Sequence, residues 1–160
     1  MRSKILYGFM IAFILCLSLY EAPSASAASA EEEVLQVENN WIKAFNAMDF
    51  GLMSSLYLRA DKTSSFPPND LLYQGWDTIT AMLKINFQSP AGTLAWTLHN
   101  PQITMLPDNT AILTGYHIVI STDPKTNAQT VDQLRVTRVM QKIDGKWLIV
   151  HDHGSGLPVK

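Results

Sequence analysis

The dipeptide Asp144-Gly145 limits what this chain can fold into more than any other feature. It joins two apolar, β-branched runs, Leu134–Ile143 and Lys146–His153. Asp-Gly accepts the positive φ values of a type I′ turn, so the spacing predicts a β-hairpin with a two-residue loop. Such a loop sets the register: Ile143 opposes Lys146 and, with unbroken pairing, Arg138 opposes His151. Cross-strand partners share a face of the sheet. One side is therefore expected to carry Arg138, Met140, Trp147, Ile149 and His151, with His153 at its end beside Val136. The other side carries Arg135, Thr137, Val139, Leu148, Val150 and Asp152.

Upstream of the hairpin, helices come first and strands follow. Ser29 and Glu32 form a capping box for a helix running to about Met48. Val34, Val37, Trp41, Phe45 and Met48 recur every three or four residues as one apolar stripe, in which Trp41 serves either the core or a ligand. Asp49 caps a second, short helix that buries Leu52, Met53 and Leu56. Lys62–Phe66 and Leu71–Gln74 are short strands around the turn-forming run Pro67-Pro68-Asn69-Asp70. Ile79, Met82, Leu83 and Phe87 mark a third helix, stopped by Ser89-Pro90-Ala91-Gly92. Leu94, Trp96 and Leu98 alternate as a strand. The apolar parity changes to Ile103 and Met105 across Asn100-Pro101, which predicts a bulge. Thr110–Ser121 and the hairpin complete the sheet. This order gives an α+β domain, a curved antiparallel sheet with its N-terminal helices packed on one face.

Three helices cover only one face of such a sheet, whose other face should then be polar. Here both rows are apolar: Ala111, Leu113 and Val119 alternate with Ile112, Tyr116, Ile118 and Ile120. Val139, Leu148 and Val150 back Met140, Trp147 and Ile149 in the same way. The uncovered face calls for a partner, and a second copy supplies one most simply, so a homodimer is expected.

The first 30 residues read as a secretory signal peptide. Arg2 and Lys4 precede the apolar run Ile5–Tyr20, and Ala25-Ser26-Ala27 and Ala28-Ser29-Ala30 are both cleavage candidates. The expected destination is the periplasm or the exterior, and residues 31–160 form one domain. The single cysteine, Cys16, lies within the signal, so the mature domain must hold together without disulfides. Roughly 130 residues suffice for that. Cleavage moves the formal net charge from −2 to −3, and no basic patch points to nucleic acid or to an anionic membrane surface.

The run TRVMQKIDGKWLIVHDHGSGLP, Thr137–Pro158, resembles the end of the association domain of calcium/calmodulin-dependent protein kinase II. More broadly it resembles the SnoaL-like group of the nuclear-transport-factor-2-like superfamily, and weaker similarity extends over most of Glu31–Pro158. The resemblance implies a cone-shaped, cystatin-like fold with a pocket between sheet and helices, and self-association. It places Arg138 at an arginine that lines the kinase-domain pocket. Two companion arginines are replaced by His117 and Gly154, and a pocket histidine by Ile79. Superfamily enzymes use buried carboxylates as acids or bases. The ketosteroid-isomerase position falls on Phe66, which leaves Asp132 and Asp152 as candidates.

A guanidinium in an apolar cavity needs an anionic partner, from the protein or from a ligand. The leading expectation is a small polar or anionic organic ligand held by Arg138 with His117, His151, His153 and Trp41. The alternatives are a cofactor-free isomerase, cyclase or hydrolase using Asp132 or Asp152 with Arg138, and a purely structural association module. His151 and His153 have the i, i+2 spacing of two metal ligands, but a third is not evident and no metal is expected. Gly154-Ser155-Gly156 lacks the context of a nucleophile elbow, and no coenzyme motif is present, so no cofactor is expected.

Overall fold

The structure, a computed structural model, describes residues 28–88 and 93–157. The expected signal segment, through Ala27, and the expected helix stop at Ser89–Gly92 lie outside the described residues. Helix α1 spans Ala30–Ala47 and opens with the expected capping box, Ser29 and Glu32 each bonding the other's backbone N–H. It ends at Met48 in the left-handed region. Asp49 then accepts from the Leu52 N–H and starts α2, Phe50–Ser55. Strands β1 (Ser64–Phe66) and β2 (Tyr73–Gln74) form a small antiparallel pair, and α3 runs from Trp76 to Gln88. Four long strands follow: β3 (Thr93–Leu106), β4 (Thr110–Thr122), β5 (Gln129–Ile143) and β6 (Lys146–Gly156).

The strands make one open, curved sheet in the order β2-β1-β6-β5-β4-β3. All pairs are antiparallel except β1 with β6, which is parallel and makes the sheet mixed. The sequence pattern could not show this pair, because β1 reaches β6 from a part of the chain more than eighty residues away. The register of β3 against β4 shifts between His99 and Gln102, at the bulge expected from the change of parity. Asn46 of α1 clasps the outer edge of β3, accepting from Trp96 N at 2.7 Å and donating to Trp96 O at 3.1 Å.

The helices pack on one face, and the core lies beneath them. Val34, Trp41 and Ala44 of α1 meet Met53, Tyr57, Ile79 and Leu83, and below them Ala111, Leu113, Val136, Met140 and Ile149 of the sheet. Each large apolar side chain buried this way contributes roughly 1.5–3 kcal/mol. On the uncovered face Ile112, Ile118, Ile120, Val139 and Leu148 are only half-buried, and Tyr116 and Val131 are exposed. Both rows of β4 are thus apolar, and only one has a covering.

The hairpin turn forms as expected, with Asp144 and Gly145 both at positive φ and Ile143 opposite Lys146. The pairing further along does not. Val150 is an extra residue on β6, so Met140 pairs with Ile149 but Val139 pairs with His151 and Arg138 with Asp152. Beyond this bulge the alternation of β6 is reversed. Asp152 turns to the covered face, where Asp152 Oδ2 accepts from the Ser65 and Tyr57 hydroxyls. His151 and His153 flank Phe66 instead, and His151 Nδ1 lies 2.8 Å from Ser64 Oγ.

Candidate functional site

Between α1, α3 and the covered face lies a cavity of about 320 Å³. Its walls are apolar and aromatic, with Phe45, Met82, Leu83, Trp96, Leu134 and Val136 prominent. Pro67, Pro68, Asp70, Asn86 and Arg135 also line it, with Tyr57, Ser65, His117, Arg138 and Asp152 supplying the other polar groups. Gly154 lines the cavity too, because the bulge at Val150 turns it inward. A Cβ built there would lie 3.0 Å from the Pro68 ring, so a pyrrolidine occupies the space beside the backbone where the resemblance expects an arginine.

The charged groups form one buried network. Arg138 Nε donates to Glu38 Oε2 in a very short contact, and His117 Nε2 is 2.7 Å from Glu38 Oε1. Arg138 Nη1 lies 3.0 Å from Asp152 Oδ1, an ion-pair contact too oblique to count as a hydrogen bond. The guanidinium also stacks on Trp41, its carbon 3.9 Å from the ring centroid, while the Trp41 ring lies parallel to His117 on its other contacts. Trp41 Nε1 donates to the Tyr57 hydroxyl at 3.1 Å, and that hydroxyl donates to Asp152 Oδ2 at 2.7 Å. Ser65 Oγ adds a longer bond to the same oxygen, 3.4 Å.

Exposure ranks these groups. Glu38, Arg138 and His117 are 0%, 1% and 2% exposed, whereas the Asp152 side chain retains 12%. Burial works to raise the Glu38 carboxyl, but the charge of Arg138 and the bond from His117 outweigh it and hold its pKa below the ordinary value. For Arg138 burial opposes the charge, but Asp152 and Glu38 more than restore it and the guanidinium is held above its usual range. Burial, then the Asp152 carboxylate, pushes the Tyr57 hydroxyl well up.

Of the residues expected at the site, Arg138, His117 and Trp41 come together. His151 and His153 do not line the cavity, and Arg138 does not face His151; the unpaired Val150 is the cause. The expectation of a guanidinium free to take an anion is also overturned, since two carboxylates of the chain itself already hold it. Asp132, near the start of β5, is exposed and does not line this cavity; it lines a neighbouring one that shares Pro68, Trp96, Leu134 and Arg135 with it. Ile79 is a fully buried core residue. Glu38 and Tyr57 were not anticipated. Glu38 had a visible mark, because it stands four residues after Val34 and three before Trp41 and so falls on the apolar stripe. A carboxylate there is buried with the helix and needs a cation. Among the described residues no group of three or more His, Cys, Asp or Glu is placed to hold a metal ion.

Helices on one face of an open, curved sheet, with a cavity between the layers, define the nuclear-transport-factor-2-like class, and solved structures agree. A putative dehydratase of the NTF2-like family from Streptomyces avermitilis is 18% identical with a TM-score of 0.74, over 81% of this chain and 97% of that one. A putative calcium/calmodulin dependent protein kinase II association domain from Xanthomonas campestris is 23% identical with a TM-score of 0.69, over 87% and 95%. The S. rosetta CaMKII hub is 24% identical with a TM-score of 0.65, over 85% of this chain and all of that one. The family model described as calcium/calmodulin dependent protein kinase II association domain matches residues 30–158, and the chain belongs to that family.

Proposed function

We propose that this chain is an exported, self-associating protein that holds a small polar organic molecule in the cavity between its helices and sheet. The observation that carries the reading is the cavity itself: aromatic and aliphatic walls around a few convergent polar groups, the usual make-up of a small-molecule site. Export rests on Arg2, Lys4, the apolar run Ile5–Tyr20 and the A-x-A sites, and the destination is the periplasm or the exterior. Self-association rests on the uncovered apolar row of β4, β5 and β6, and on the family and the hub named above.

The presence of Asp152 in the cavity, beside Tyr57, supports a second reading. A carboxylate and a phenol at one end of an apolar cavity are the parts of a cofactor-free acid–base site. In that reading Asp152 acts and Asp132 does not.

Native mass spectrometry of the protein purified from its own cells tests the leading reading, with Leu134→Trp placing an indole in the cavity as control. A small-molecule adduct on the wild type that is absent from the variant is the expected result. Bare protein in both refutes it.

A further inference from the structure

We infer that the cavity selects a small protonated amine with a flat apolar body, and rejects carboxylates and other anions. This rests on the pocket reading above and specifies its ligand. The buried network holds one permanent cation, Arg138, and two carboxylates, Glu38 and Asp152. With His117 neutral the network is one negative charge in excess; with His117 protonated it is balanced. Neither state leaves surplus positive charge. The other charged lining residues, Arg135 and Asp70, offset each other.

Access gives the same answer. Arg138 Nε is engaged by Glu38, its face is covered by Trp41, and Nη1 has no surface open to a ligand. Two of its three nitrogens are thus closed to an anion. Asp152 is the most exposed charged group of the network. A carboxylate offers about four acceptor positions. Tyr57 and Ser65 engage Oδ2 and Arg138 lies against Oδ1, which leaves one position on Oδ1 for an incoming N–H. An ammonium entering an apolar cavity needs such a partner. The half-buried rings of Phe45 and Trp96, with centroids 5.0 Å apart, line the cavity and give the flat body of the ligand an apolar surface to pack on.

Three probes of nearly equal shape and different charge test this at neutral pH: benzylammonium, benzyl alcohol and benzoate. Binding is read by calorimetry and by quenching of the tryptophans that line the cavity. Benzylammonium is expected to bind at least about tenfold more tightly than benzoate, a charge-assisted preference. Asp152→Asn should remove the advantage of the amine over the alcohol. Leu134→Trp should abolish amine binding. Benzoate binding as tightly as the amine overturns the inference, as do an unchanged preference in Asp152→Asn, amine binding that survives Leu134→Trp, or binding of none of the probes. If Asp152→Asn does not fold, the selectivity of the wild type decides alone. Should only the alcohol or benzoate bind, and be lost in Leu134→Trp, the cavity still takes ligands and only its preference for cations falls.

Discussion

Replacing Glu38 by glutamine tests the buried network directly. The substitution keeps the shape and removes the charge, so Asp152, in its oblique contact at 3.0 Å, is left as the charged partner of Arg138, and His117 loses its own. Orphaning one side of a buried ion pair costs about 3–5 kcal/mol. Asp152 still offsets part of the guanidinium charge and the glutamine carbonyl still accepts one bond, so the lower end, about 3 kcal/mol, is expected. For a domain of roughly 130 residues that corresponds to a fall of about 10 °C in Tm. Urea unfolding followed by tryptophan fluorescence measures it, with the slope m checked for constancy. The double variant Glu38→Leu/Arg138→Met removes the Glu38–Arg138 pair and leaves Asp152, the most exposed of the three charges, held by Tyr57 and Ser65. Its loss should be smaller than the summed losses of Glu38→Leu and Arg138→Met by at least about 2 kcal/mol. A cost below about 1 kcal/mol for Glu38→Gln, or strict additivity in the double variant, would refute the claim that these charges depend on one another.

Acid should weaken the fold in a defined window. Glu38 has a folded pKa below its ordinary value of 4.5, so its contribution is complete above that value and is lost as pH falls further. An acid titration of stability should therefore be flatter below pH 4.5 in Glu38→Gln than in the wild type. At the alkaline end the raised Tyr57 gives the opposite sign: its contribution is present below pH 10.0 and declines as pH rises above that. Tyr57→Phe leaves Trp41 Nε1 without its acceptor and removes one donor from Asp152, at a cost of about 1–3 kcal/mol by equilibrium unfolding. Ile118→Asp places a charge in the uncovered apolar row and should shift the protein to monomers in light scattering without altering its circular dichroism. An unchanged oligomer would exclude that face as the interface.

Local physics made much of the architecture legible. The capping box at Ser29, the Asp49 cap, the Asp144-Gly145 turn and the change of parity at Asn100-Pro101 each act through neighbouring residues, and each forms as expected. The double apolar pattern of β4 likewise foretold a face without covering. The site was harder to read because its geometry depends on long-range pairing. Val150 has no composition that marks a bulge; the extra residue falls where β6 passes from the Leu56–Leu58 segment to β1. Arg138 was correctly placed inside, but its partner Glu38 lies a hundred residues away on α1, and only its place on the apolar stripe gave it away. Tyr57, just past α2, carried no mark at all.

The unpaired Val150 makes the chemistry of this protein depend on the parity of a single count. Drawn into the ladder opposite Val139, Val150 would set His151 against Arg138, swinging the imidazoles of His151 and His153 inward and carrying Asp152 out with every helix left in place.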